Sequence, residues 1–307
     1  MRRNAWIAAV LMLFGVIAAA CAPPPPPPGP VSQLPVGTGH PIASRQVTFT
    51  DTSRSTPALD AFPGSDSRSI PTTIWYPTDK NNGPYPLVVF APGYGVGPSF
   101  YQALLTQIAG AGYVVASPTY PILSGQPAGP DDIVDWGEKF PDTWYVTTKM
   151  LDLSASADPD LGGLIDPQRI AVAGHSDGAA IAFGDGYEPF RNDPRVRAVI
   201  SYAADFTGDL YQPNGRPLLH FLSDNDVYNP YPQAIGWDRA NLVPPKYTVS
   251  LFGATHEGPY TDPADPHFGL VVRVTLDFLN SELKGHPELM LFAGLDVAAN
   301  PSLGAME

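Results

Sequence analysis

The chain has 307 residues, 44% hydrophobic and 11% aromatic, with 37 prolines, 29 glycines and only 15% charged residues. Disordered chains lack the apolar surface needed to offset backbone entropy, so this composition excludes disorder as the general state despite its prolines. Seventeen basic residues against 30 acidic ones give a formal charge of −13, which repels phosphate backbones and excludes a nucleic-acid partner.

In chain order, Arg2 and Arg3 precede an apolar run over 5–20, which stops at Cys21 and six prolines at 23–28. The run falls short of the roughly 20 residues that span a bilayer. Its charged start, apolar middle and small-residue end predict an export signal over 1–20. Ala18-Ala19-Ala20-Cys21 resembles a bacterial lipoprotein signal, which implies that Cys21, the sole cysteine, carries a lipid. An ordinary secretory signal cleaved nearby is the alternative. Either reading exports the protein, to a lipid anchor at the cell envelope or to the medium, and confines membrane contact to Cys21. Loss of 1–20 leaves 15 basic against 30 acidic residues, −15, in a domain without a disulfide. Residues 22–45, rich in Pro, Gly, Ser and Val, predict a semi-rigid linker.

The domain is expected over 46–285, with a tail at 286–307 whose Leu289, Met290, Leu291, Phe292 and Leu295 suffice to dock on it. Apolar, β-branched runs at 70–75, 86–90, 113–116, 169–173, 196–202, 217–222 and 247–252 predict strands. Amphipathic segments at 100–109, 143–153 and 268–283 predict helices between and after them. The alternation predicts an α/β fold: a doubly wound, mostly parallel sheet of about eight strands with helices on both faces. Working groups of such sheets gather at the carboxyl ends of the strands.

The strand 169–173 runs into Gly174-His175-Ser176-Asp177-Gly178 and then an apolar helical stretch. This is a G-x-S-x-G elbow in its strand-turn-helix setting, with Ser176 as candidate nucleophile. A serine hydroxyl needs a base to take its proton and an acid to orient that base. Past the strand 217–222 lie Asp224 and Asp226, and past 247–252 lies His256, so base and acid leave the same sheet edge as Ser176. Asp226 is preferred as the acid, with Asp224 the alternative. Backbone amides of Asp177 and of Tyr94, in the glycine-rich loop 91–97, are the candidate oxyanion donors. No phosphate-loop motif, H-E-x-x-H or cysteine pair is present, and Tyr228 and Asn229 break a calcium-loop reading of 224–229, so no cofactor or metal is implied.

These motifs resemble the α/β-hydrolase superfamily over about 46–285, most closely a secreted bacterial esterase branch. That branch includes cutinase-like polyester hydrolases and dienelactone-hydrolase-like and platelet-activating-factor-acetylhydrolase-like esterases. The resemblance implies a Ser176-His256-Asp226 triad with Tyr94 and Asp177 as the oxyanion hole. The chain departs from the polyester hydrolases in carrying Asp177 where Met is usual and in lacking a disulfide, and from dienelactone hydrolases in using Ser rather than Cys.

Long loops at 121–141 and 227–245 are expected to roof the site. Trp136, Tyr228, Tyr231 and Trp237, with Tyr94, would line an aromatic, largely uncharged cleft. The expected activity is hydrolysis of an uncharged apolar or aromatic carboxylic ester, small or polymeric, through an acyl-enzyme, with activity rising as His256 loses its proton. A non-catalytic surface lipoprotein that binds an apolar ligand in the same cleft, and an amidase using the same triad, are the alternatives.

Overall fold

A computed structural model describes residues 39–59, 63–122, 135–204, 214–233 and 245–307. The export signal, Cys21 and the linker up to residue 38 lie outside the described residues.

Nine strands among the described residues form one mixed sheet: β1 (Ile42–Asp51), β2 (Arg68–Pro77), β3 (Tyr85–Ala91), β4 (Val114–Pro118), β5 (Ile165–His175), β6 (Val196–Tyr202), β7 (Leu218–Ser223), β8 (Lys246–Leu251) and β9 (Gly304–Met306). Their order is β1-β2-β4-β3-β5-β6-β7-β8-β9. From β4 to β8 neighbours are parallel, whereas β1, β2 and β9 pair antiparallel at the two margins. The longer helices among the described residues are α1 (Gln102–Gly110), α2 (Lys139–Ala155), α3 (Asp177–Tyr187), α4 (Phe268–Lys284) and α5 (Leu289–Ala299). This is the doubly wound α/β architecture expected from the alternation of strands and helices.

The two-residue period of a strand sorts the core into layers. Val88, Phe90, Ala171, Ala173, Ile200 and Phe221 face one way, onto α1, α4 and α5. Leu87 and Val89 face the other way onto α2, and Val172 and Val199 face α3. Strands covered on both faces must be apolar at every position, which is why β3 is a continuous apolar run.

Two boundaries are corrected. Residues 42–45, expected in the linker, open β1 and pair with the far end of β2, and Arg45 bonds Asp158 at 2.7 Å. The segment 286–307 is not an appended tail: α5 joins the core through Met290, Ala293 and Val297, and β9 extends the sheet as its ninth strand, Val249 opposite Met306. Sequence patterning hid this strand because three residues are too few to display a period.

The sheet also carries a buried ion cluster with no sequence signal. Arg68, at the start of β2, is fully buried and donates to Asp135 (2.8 Å, twice) and to Asp142 (2.7 and 2.6 Å), joining β2 to the start of α2. Arg54 adds a second cation 2.8 Å from Asp142, and burial, which pushes the Asp142 carboxyl up, is opposed by both arginines.

Candidate active site

The parallel strands β3, β5, β7 and β8 end on one edge, and each delivers one part of the site. β5 ends at His175 and the chain turns at Ser176, whose φ of 55° and ψ of −121° lie where side chains are rarely tolerated. The turn is held from both sides: Ser176 N–H donates to Tyr202 O at 3.0 Å, and Ser176 O accepts from Ala179 at 2.9 Å to begin α3. A Cβ on Gly174 would strike the Gly178 carbonyl, and one on Gly178 would strike the carbonyl of Ala91 at the end of β3. Both glycines are therefore demanded by close backbone approach.

Beyond β8, His256 is buried, and its Nδ1 donates to Asp226 Oδ2 at 2.6 Å. The other oxygen of Asp226 accepts the amides of Tyr228 at 2.8 Å and Asn229 at 2.9 Å. Burial pushes the Asp226 carboxyl up, but the bonds from His256 and the two amides outweigh it and hold the group below its ordinary range. Asp224, the alternative acid, is turned outward and accepts the Gly253 amide at 2.5 Å. The loop after β7 is braced by Asn229, whose Nδ2 donates to Ala203 O at 2.9 Å; Ala203 itself has a positive φ of 45°.

Ser176, Asp177 and His256 open onto a cleft of about 430 Å³ lined also by Gly93, Tyr94, Phe100, Tyr228 and Glu257. Tyr94 is 47% exposed and Tyr228 70% exposed, and the Tyr228 ring lies 5.0 Å from that of His256. Tyr231 is not among the residues that line this cleft, and its hydroxyl donates to Ser250 Oγ of β8 at 2.7 Å. Trp136 opens a short 3-10 turn over Trp136–Glu138, but its side chain, like the whole of Trp237, lies outside the described residues. Sequence patterning missed Phe100, Tyr101, Asn229 and Glu257, which reach the cleft from loops and turns without a motif.

The Asp177 carboxylate beside the nucleophile does not stand alone. Lys139 Nζ, almost fully buried at the start of α2, lies 3.6 Å from Asp177 Oδ2. Burial lowers the Lys139 ammonium to about 8, against the opposing pull of Asp177. A serine in a strained turn, an imidazole bonded to a buried carboxylate, and the residues Tyr94 and Asp177 thus meet at one cleft.

A family model described as Chlorophyllase matches residues 47–200. That span runs from within β1 to within β6, includes the glycine-rich loop and the serine elbow, and ends before Asp226 and His256. No curated protein matches the chain.

Proposed function

We propose that this chain, a member of the chlorophyllase family of α/β-hydrolases acting on esters, is a serine carboxylic-ester hydrolase with Ser176, His256 and Asp226 as its triad. The observation that carries the reading is the 2.6 Å bond to a buried Asp226 from Nδ1 of His256, which lines the same cleft as Ser176. Donation from Nδ1 leaves Nε2 of the neutral ring as the acceptor, so the ring takes the Ser176 proton as Oγ attacks the ester carbonyl. The amides of Tyr94 and Asp177 receive the developing oxyanion. Collapse breaks the bond to the alcohol, which leaves with the proton from His256, and water then hydrolyses the acyl-enzyme by the same steps. Asp226 stays ionised throughout and stabilises the imidazolium.

The substrate is an uncharged ester with an apolar or aromatic acyl group, a class that includes lipid esters and polyesters. Tyr94, Phe100 and Tyr228 favour such groups, while Asp177, Glu257 and the net charge of −13 disfavour anionic ones. Purified protein is expected to hydrolyse p-nitrophenyl acetate and butyrate, to take up a fluorophosphonate probe on Ser176, and to lose both properties in Ser176→Ala. Wild-type turnover by that variant would refute the reading, absence of labelling would favour a binding protein, and faster cleavage of a matched anilide would favour an amidase. Chlorophyll, which the family's name carries, belongs in the same substrate panel.

The residue pattern of 1–45 further supports export and a lipid anchor at Cys21.

A further inference from the structure

The elbow residue His175 lines the cleft, but both of its ring nitrogens are already bonded, and they join the two halves of the site. Its Nε2 lies 2.7 Å from the backbone carbonyl of His256, its Nδ1 lies 2.9 Å from the Tyr101 hydroxyl, and that hydroxyl lies 3.0 Å from the Gly93 amide. All three links are buried.

Their polarity follows from chemistry alone. A carbonyl only accepts, so Nε2 carries hydrogen and donates to His256 O. Burial and the neighbouring His256 ring push His175 down to about 3, so the ring is neutral and Nδ1 is an acceptor. Tyr101 must then donate its O–H to Nδ1, which leaves its oxygen lone pairs for the Gly93 N–H. The chain thus runs in one direction: Gly93 N–H to Tyr101, Tyr101 O–H to His175, His175 N–H to His256 O. The groups facing the ring are Tyr101 (5.5 Å between ring centres), His256 (4.6 Å) and Tyr260 (5.3 Å), with Asp226 beyond His256.

We infer that Tyr101 and His175 are positioning residues that set the oxyanion loop and the catalytic base against one another through a single hydrogen-bond relay. Gly93 directly precedes Tyr94, so the bond that fixes its amide also aims the next peptide at the oxyanion site. A Cβ on Gly93 would lie only 3.0 Å from the Tyr101 hydroxyl and 3.3 Å from His175 Nδ1, so a side chain here would crowd the relay by a few tenths of an ångström. The inference rests on the esterase reading above. It adds that reaction geometry depends on two buried groups at the wall of the cleft that take no part in bond making or proton transfer.

Tyr101→Phe keeps the ring packed against Phe90, at 4.7 Å between centres, and removes only the hydroxyl. It orphans one buried donor and one acceptor, so kcat is expected to fall about tenfold with KM within about twofold. A boronic-acid transition-state analogue should weaken by the same factor as kcat, because it alone occupies the oxyanion site. Nitrogen-15 spectra of histidine-labelled wild type should contain one ring held as the neutral Nε2–H form from pH 8 down to about pH 5. His175→Gln serves as the second variant, and combined with Tyr101→Phe it should cost less than the product of the single effects. Unchanged kcat and analogue affinity in Tyr101→Phe, multiplicative losses in the double variant, or a His175 signal titrating near neutral pH would each overturn the relay. Those outcomes are separable from failure of the esterase reading, which Ser176→Ala tests independently.

Discussion

Asp224 and Asp226 stand two residues apart at the end of β7, and only the contacts of their oxygens distinguish them. Asp226 receives the imidazole and two amides, whereas Asp224 accepts the Gly253 amide at the surface. With His256 as the base, Asp226→Asn presents an amide where a carboxylate must accept, favours the wrong imidazole tautomer and is expected to lower kcat by about 10³–10⁴-fold. Asp224→Asn keeps an acceptor for Gly253 and is expected to change kcat by less than about twofold. Steady-state kinetics of the two variants on p-nitrophenyl butyrate separate the roles, and equal losses would contradict the assignment. At this scale the motif residues were legible because G-x-S-x-G is a local pattern with a local backbone consequence. Tyr101 was not: it lies in an unremarkable 3-10 turn, and only the approach of β5 brings it to His175.

Elements were legible where their period was long enough to repeat. The stripe on α4 is an example, ending at Gly285 in the left-handed conformation that closes a helix. The packing of α5 against that helix was not legible, and it includes an electrostatic conflict. Asp277 on α4 faces Asp296 on α5, with Arg273 the nearby cation, 3.4 Å from Asp296. Burial, then Asp296, raise the Asp277 carboxyl to about 7. A carboxyl raised on folding binds its proton more tightly in the folded state, so its stabilising contribution is complete below the ordinary value of 3.8 and is lost as pH rises toward about 7. Asp277→Asn should therefore melt higher than wild type at pH 8, with the difference vanishing or reversing at pH 4. Thermal scans between those limits test this, and a difference independent of pH would contradict it.

Across the whole molecule, chemistry is concentrated at one sheet edge, while both sheet margins are closed by segments that look like appendages in the sequence. β1 takes in residues from the expected linker, and β9 pairs with Val249–Leu251 of β8, leaving a strand of only three residues as the sheet edge. The proposed anchor belongs to this scale. If Cys21 is lipidated, wild-type protein should sediment with membranes while Cys21→Ser remains soluble with full esterase activity. Equal partitioning of the two forms would favour simple secretion. The α/β class, the serine elbow, the glycine-rich loop and the two strand ends that present an acid and a histidine are legible in the residues alone, because each is written in contiguous residues whose local conformation follows from their chemistry. Packing settles which aspartate meets the imidazole, that Tyr231 bonds to β8, that the last residues extend the sheet, and that a buried tyrosine and histidine link the two halves of the site. Those outcomes depend on contacts between chain segments tens of residues apart, which packing brings together and no local pattern encodes.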